Sequence, residues 1–145
     1  VNAHWHADQV AEAVLAHDRP AAVMREEELL ETGGGVTAAL PRLGPHPFVV
    51  VNGDAFWLDG PSMALRRLAA AYDPAAMDAL LLLVRTSQVD GEVGRGDFLL
   101  DPLGRARRPR EREIAPYLFG GVQILSPALF ADAPRGPFSL NAVYD

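Results

Sequence analysis

The chain has 145 residues, 49% of them hydrophobic and 22% charged, with a formal net charge of −6. That is one domain's worth of sequence, too apolar for disorder and too acidic for general attraction to nucleic acid. It has no cysteine and no lysine, so all 13 basic residues are arginine and neither a disulfide nor a thiolate zinc site can form.

Val1-Asn2-Ala3-His4 reads as the last residues of a strand. Val10, Ala11, Val14 and Leu15 fall at helical spacing and predict a helix over residues 7–17, ended by Asp18-Arg19-Pro20. Residues 21–24 suit a short strand, and Arg25-Glu26-Glu27-Glu28 a charged turn. Leu29-Leu30-Glu31-Thr32-Gly33-Gly34-Gly35 follows, then a helix over 36–40 stopped by Pro41. Phe48-Val49-Val50-Val51 runs into Asn52-Gly53-Asp54 with no polar interruption, which predicts a central strand buried on both faces and ending in a polar turn.

Pro61 suits the first turn of a helix continued by residues 63–72, with Leu65, Leu68, Ala69 and Tyr72 on one side. Leu80–Val84 is a second buried strand; as the longest candidate for a membrane span it is only strand-sized, far short of the roughly 20 residues a span needs. Residues 97–101 and a segment near Arg107 read as the arms of a hairpin around Pro102-Leu103-Gly104. Phe119–Leu125 is a strand containing Gly120-Gly121, Ser126-Pro127 opens a short helix ending near Phe130, and a last helix begins over Phe138–Asn141. Strands alternating with helices predict an α/β, three-layer domain with a mostly parallel sheet. A cytoplasmic protein is expected. The lack of an initiator Met and the stop inside a helical pattern lead to the expectation of a piece of a longer chain.

In open α/β sheets, ligands bind beyond the carboxyl ends of the strands. Asp54 stands at such an end, where a carboxylate suits a hard cation such as Mg²⁺ or simply closes a turn. The triple glycine allows a ligand close to the backbone at a helix start, with Thr32 offering a hydroxyl; it also reads as a flexible turn. It is not a P-loop, because no lysine follows. Gly91–Phe98 places Asp97 after a glycine-rich loop able to close over a sugar, or in a solvated turn. Residues 105–112 hold five arginines without interleaved aromatics, which reads as an exposed basic hairpin rather than an RNA site. The four histidines lack zinc spacing, although His4 follows the first strand's end. No Ser lies in a G-x-S-x-G elbow.

Asn2-Ala3-His4, Leu30–Gly35, Pro47–Asp54, Gly94–Phe98 and Phe119–Leu125 together resemble, in order and over nearly the whole chain, the sugar-phosphate nucleotidyltransferase family. The resemblance implies the nucleotide-diphospho-sugar transferase fold, Rossmann-like and α/β/α, with residues 1–145 as the central and C-terminal part of one domain, incomplete at the N-terminus. It implies attack of a sugar 1-phosphate oxygen on the α-phosphorus of a nucleoside triphosphate, with release of pyrophosphate. UTP with N-acetylmuramate 1-phosphate, or GTP with mannose 1-phosphate, are the pairs it points to. By the same resemblance, Asp54 is the catalytic Mg²⁺ ligand. Thr32, Gly33, Gly34 and Asn52 face the nucleotide. Asp97 and Gly120 face the sugar, with Asn2 a lesser member.

The family's opening G-x-G-T-R…P-K-P signature and its second metal-binding Asp are not in this sequence. A different class of protein, a nucleotide- or nucleotide-sugar-binding regulatory module without catalysis, would keep the same pocket; an in-frame upstream signature separates the two. No membrane or nucleic-acid partner is expected, and the oligomeric state is not legible. Residues 1–145 alone should release no pyrophosphate from UTP, Mg²⁺ and N-acetylmuramate 1-phosphate, as a coupled phosphate assay would check.

Overall fold

A computed structural model of the chain describes residues 1–91 and 94–144. In chain order the elements are β1 (Asn2–Ala3), α1 (Ala7–Ala16), β2 (Met24–Arg25), α2 (Glu31–Leu43), β3 (Phe48–Val51), α3 (Ala64–Ala71), β4 (Ala79–Arg85), β5 (Leu99–Leu100), β6 (Ala106–Arg107), β7 (Tyr117–Leu125) and α4 (Asn141–Tyr144), with short 3₁₀ turns at Thr86–Gln88 and Pro127–Phe130. They form two units: Val1–His46 with the segment from Pro127 onward, and Pro47–Ser126.

In the first unit β1 and β2 pair in parallel, Asn2 opposite Met24 and Ala3 opposite Arg25. Arg25 forms an ion pair with Asp8 of α1. The helix expected from Val36 instead starts at Glu31 and takes in all three glycines and Pro41. Three helical glycines each cost about 1 kcal/mol relative to alanine, and tertiary packing is the reason they stand here. A Cβ on Gly33 would overlap the Phe138 ring, one on Gly34 would lie 2.5 Å from the Gly136 carbonyl oxygen, and one on Gly35 2.9 Å from Glu26 Oε1. Phe138 is stapled to the start of α2: its N–H donates to Leu30 O at 3.2 Å, and its carbonyl accepts from Gly33 N at 2.9 Å and Gly34 N at 3.2 Å. Gly44, at φ +80°, ends the helix by donating to Leu40 O.

The second unit contains a three-stranded sheet in the order β3-β7-β4, and β7 is antiparallel to both neighbours. The mostly parallel sheet expected from sequence is therefore corrected: among the described residues only β1–β2 pairs in parallel. Phe48–Val51 is likewise an outer strand of this sheet rather than its middle, with Val49 50% and Val51 46% exposed. A continuous Val run describes apolar residues but does not number the strands beside them, and β7, the strand holding Gly-Gly and Gln123, occupies the centre. Val122, Gln123 and Leu125 of β7 are fully buried. Leu68 of α3 packs on Val122 and Ile124, joined by Trp57, Tyr72, Leu80 and Leu82. Asp59 Oδ1 caps α3 by accepting from Ala64 N at 2.7 Å. The predicted hairpin is present, with Leu99 opposite Arg107 and Leu100 opposite Ala106.

Gly33→Ala gains helix propensity but collides with Phe138, so it should destabilise the protein by about 1–2 kcal/mol net, read from the urea midpoint.

Candidate active site

The second unit gathers four of the sequence candidates along β7. At the end of β3, Asn52 N donates to Gly121 O at 2.8 Å, and Ala55 N closes a turn on Asn52 O at 3.0 Å. Asp54 sits in that turn with its side chain exposed. Gly53 carries no positive φ and nothing lies within 4 Å of where its Cβ would be, so the turn does not depend on a glycine there. Asn52 Oδ1 is buried without a hydrogen-bond partner, a polar atom whose desolvation is uncompensated.

Further along the same edge of β7 that receives Asn52, Asp97 Oδ2 accepts from Phe119 N at 2.8 Å, while Asp97 N donates to Tyr117 O at 2.7 Å. Phe119, which makes that bond, immediately precedes Gly120 in β7. The loop expected to close over a sugar is tied down at residues 95–97. Gly96, at φ +69°, packs against the Ala115 carbonyl, and Ala115 N donates to Arg95 O at 2.7 Å. Glu92 and Val93 lie outside the described residues.

Gly121 was not singled out by sequence, though a Gly-Gly pair inside a strand is a bulge signal. It has φ +74° and sits where β7 departs from regular pairing with β4. It is the residue on which the Asn52–Ala55 turn rests.

The first unit holds the other candidates. Thr32 is exposed at the start of α2. The Gly33 and Gly34 amides, expected to point at a ligand, instead donate to Phe138 O. Asn2 Nδ2 donates to Glu26 Oε1 at 3.0 Å and to Gly35 O at 2.7 Å, which fastens β1 to α2. Glu26 also accepts from Leu30 N at 3.3 Å, and its carbonyl meets His4 Nδ1 at 3.0 Å. This carboxylate, hidden in sequence among three consecutive glutamates, organises the entry to α2. Among the described residues no group of three His, Cys, Asp or Glu side chains is placed to hold a metal ion. None of the described helices is long and apolar enough to cross a membrane.

Part of the basic run is structural. Arg107 meets Glu113 with two bonds of 2.7 and 3.1 Å, and Arg95 Nη2 donates to the carbonyls of Arg110 and Glu113. The Arg108 guanidinium lies 5.8 Å over the Phe98 ring. Hydrogen bonds from Arg107 and from the Arg110 N–H hold the Glu113 carboxyl at about 2, below its ordinary 4.5. Since the folded value is the lower one, this contribution to stability is complete above about 4.5 and is lost as pH falls toward 2. Arg107→Met should move the Glu113 titration back toward 4.5 in a carboxyl ¹³C NMR series.

Comparison with known proteins agrees with the sequence resemblance. No family model matches the chain. It is 40% identical over 146 aligned positions to an N-acetylmuramate alpha-1-phosphate uridylyltransferase of Caulobacter vibrioides, covering 97% of this chain and 60% of that protein. It is 38% identical over 107 positions to the protein of the same name from Neisseria meningitidis serogroup B, covering 74% of this chain and 44% of that one. The chain therefore spans about half the length of the curated relatives it matches. HddC from Yersinia pseudotuberculosis, solved alone, superposes with a TM-score of 0.71 at 19% identity, over 95% of this chain and 60% of HddC. Its structure complexed with GMP-PN gives 0.69 at 21%, over 94% and 59%. The fold is that of HddC, and over the part of their length that it spans the chain is homologous to the two N-acetylmuramate alpha-1-phosphate uridylyltransferases.

Proposed function

We propose that this protein is a sugar-1-phosphate nucleotidyltransferase that makes a nucleoside-diphosphate sugar and pyrophosphate. The observation that carries the reading is the 40% identity to an N-acetylmuramate alpha-1-phosphate uridylyltransferase along nearly the whole chain. It favours UTP and N-acetylmuramate 1-phosphate as substrates. HddC, whose partner in its complex is GMP-PN, keeps GTP as the competing nucleotide. We read the domain as the three-layer α/β/α form and its place of work as the cytoplasm.

The roles follow from what each group has left to offer. Asp54, exposed on a turn at the end of β3, fits Mg²⁺, an ion commonly held by one or two carboxylates with substrate phosphates completing its shell. When bound, Mg²⁺ supplies neutralisation of charge on the attacking and leaving oxygens. The chain's own work is positioning rather than covalent chemistry. Asn52 is held by its N–H on Gly121 O, and its buried Oδ1 has a hydrogen bond still to make on the nucleotide side. Asp97 keeps one carboxylate oxygen on the Phe119 N–H and has the other for a sugar hydroxyl beside Gly120. With the Gly33 and Gly34 amides given to Phe138, Thr32 is the group that contacts base or ribose, and the glycines act by shaping the start of α2. Asn2, committed to Glu26 and Gly35, supports α2 more than it meets a sugar.

The test crosses UTP and GTP with several sugar 1-phosphates, using protein expressed from its complete gene and pyrophosphate as the readout. UTP with N-acetylmuramate 1-phosphate should be the best pair. Asp54→Asn should cut turnover by about 100-fold or more while leaving the thermal midpoint within a few degrees. Full activity in that variant would remove Asp54 from the site.

A further inference from the structure

We propose that Gly121 is a positioning residue, setting the height of the turn that carries Asp54 through its bare Cα and its carbonyl. The proposal rests on the transferase reading above and on geometry confined to the second unit.

Opposite β4, the ladder of β7 passes from Leu81↔Gln123 to Leu83↔Phe119. Between those pairs β4 has one residue, Leu82, while β7 has Gly120, Gly121 and Val122. The surplus chain bulges, and Gly121 takes it up at φ +74°. Two contacts then run from this residue to the turn. Its carbonyl accepts the Asn52 N–H at 2.8 Å. A Cβ on it would lie 2.6 Å from Ala55 Cβ and 3.5 Å from Asn52 Cβ.

The turn is therefore seated at both ends: Asn52 by a hydrogen bond, Ala55 by van der Waals contact with a residue that has no side chain. Asp54 lies between them. Any side chain at 121 strains the backbone and lifts Ala55, and the Asp54 carboxylate moves with it. A displacement at a metal ligand costs affinity without removing a ligand atom.

Protein from the complete gene would be assayed as Gly121→Ala, Ala55→Gly, the double variant and Ala55→Val. Mn²⁺ binding by EPR, in the presence of a non-hydrolysable analogue of whichever triphosphate is turned over, gives a readout independent of activity. Gly121→Ala should weaken Mn²⁺ binding by about tenfold and lower kcat, with KM for the sugar 1-phosphate unchanged. The double variant should recover most of the Mn²⁺ binding, although its thermal midpoint stays low because the left-handed strain remains. Ala55→Val crowds the same gap without altering residue 121, so it should reproduce the Mn²⁺ loss even where Gly121→Ala fails to fold. Unchanged Mn²⁺ binding in Ala55→Val, or a folded double variant no better than Gly121→Ala, overturns the positioning role. An unsubstituted protein that makes no pyrophosphate with any pair overturns the transferase reading and this proposal together; an active one with indifferent variants overturns this proposal alone.

Discussion

A middle strand that carries two glycines governs the second unit. β7 must satisfy β3 on one edge and β4 on the other, and it reaches both only by bulging at Gly120-Gly121. Below the bulge it is ordinary core: Val122 and Ile124 meet Leu68 of α3, and Leu125 is fully buried. At the bulge its backbone turns toward the candidate site, giving a carbonyl to Asn52 and the preceding Phe119 amide to Asp97. One local irregularity thus places groups from residues 52, 97 and 120 along one strand. Bulges are a common means of re-aiming a strand beside a functional site.

The first unit uses glycine differently. Gly33, Gly34 and Gly35 lie inside α2, where glycine weakens a helix, and each is required by something pressing on it: the Phe138 ring, the Gly136 carbonyl and the Glu26 carboxylate. Sequence reasoning saw glycines before a helix and inferred an open cradle. The structure has glycines within a helix and a filled one. Close approach was the right inference, but the approaching group is the protein's own chain.

Legibility followed the range of the interaction. Helix α1, the β5–β6 hairpin and the 3₁₀ turn after Ser126 answer to local periodicity and turn chemistry, and they fall where the residues put them. The pairing partners of Phe48–Val51 lie some seventy positions onward in β7, and nothing within FVVV says whether it stands inside or outside a sheet. Of the candidate site, Asp54 at a strand end and Asp97 beside Gly120 were readable because carboxylates and glycines are chemically conspicuous. Ala55 was not, since a methyl group matters only when a bulged strand is laid against it. Glu26 was masked by its neighbours, because three consecutive glutamates look alike until one of them accepts Asn2 and Leu30.

The stapling of Phe138 to the start of α2 also bears on how the chain is made. Unit Pro47–Ser126 is continuous in sequence, whereas the unit around it is assembled from two separated stretches. As the chain leaves the ribosome, the β3-β7-β4 sheet has all its strands once Leu125 has emerged. The amides of Gly33 and Gly34 must wait for Phe138, so until that residue emerges the first turn of α2 is open to water. The inserted unit is therefore the natural first folder, and α2 acquires its cover only after Phe138 has emerged.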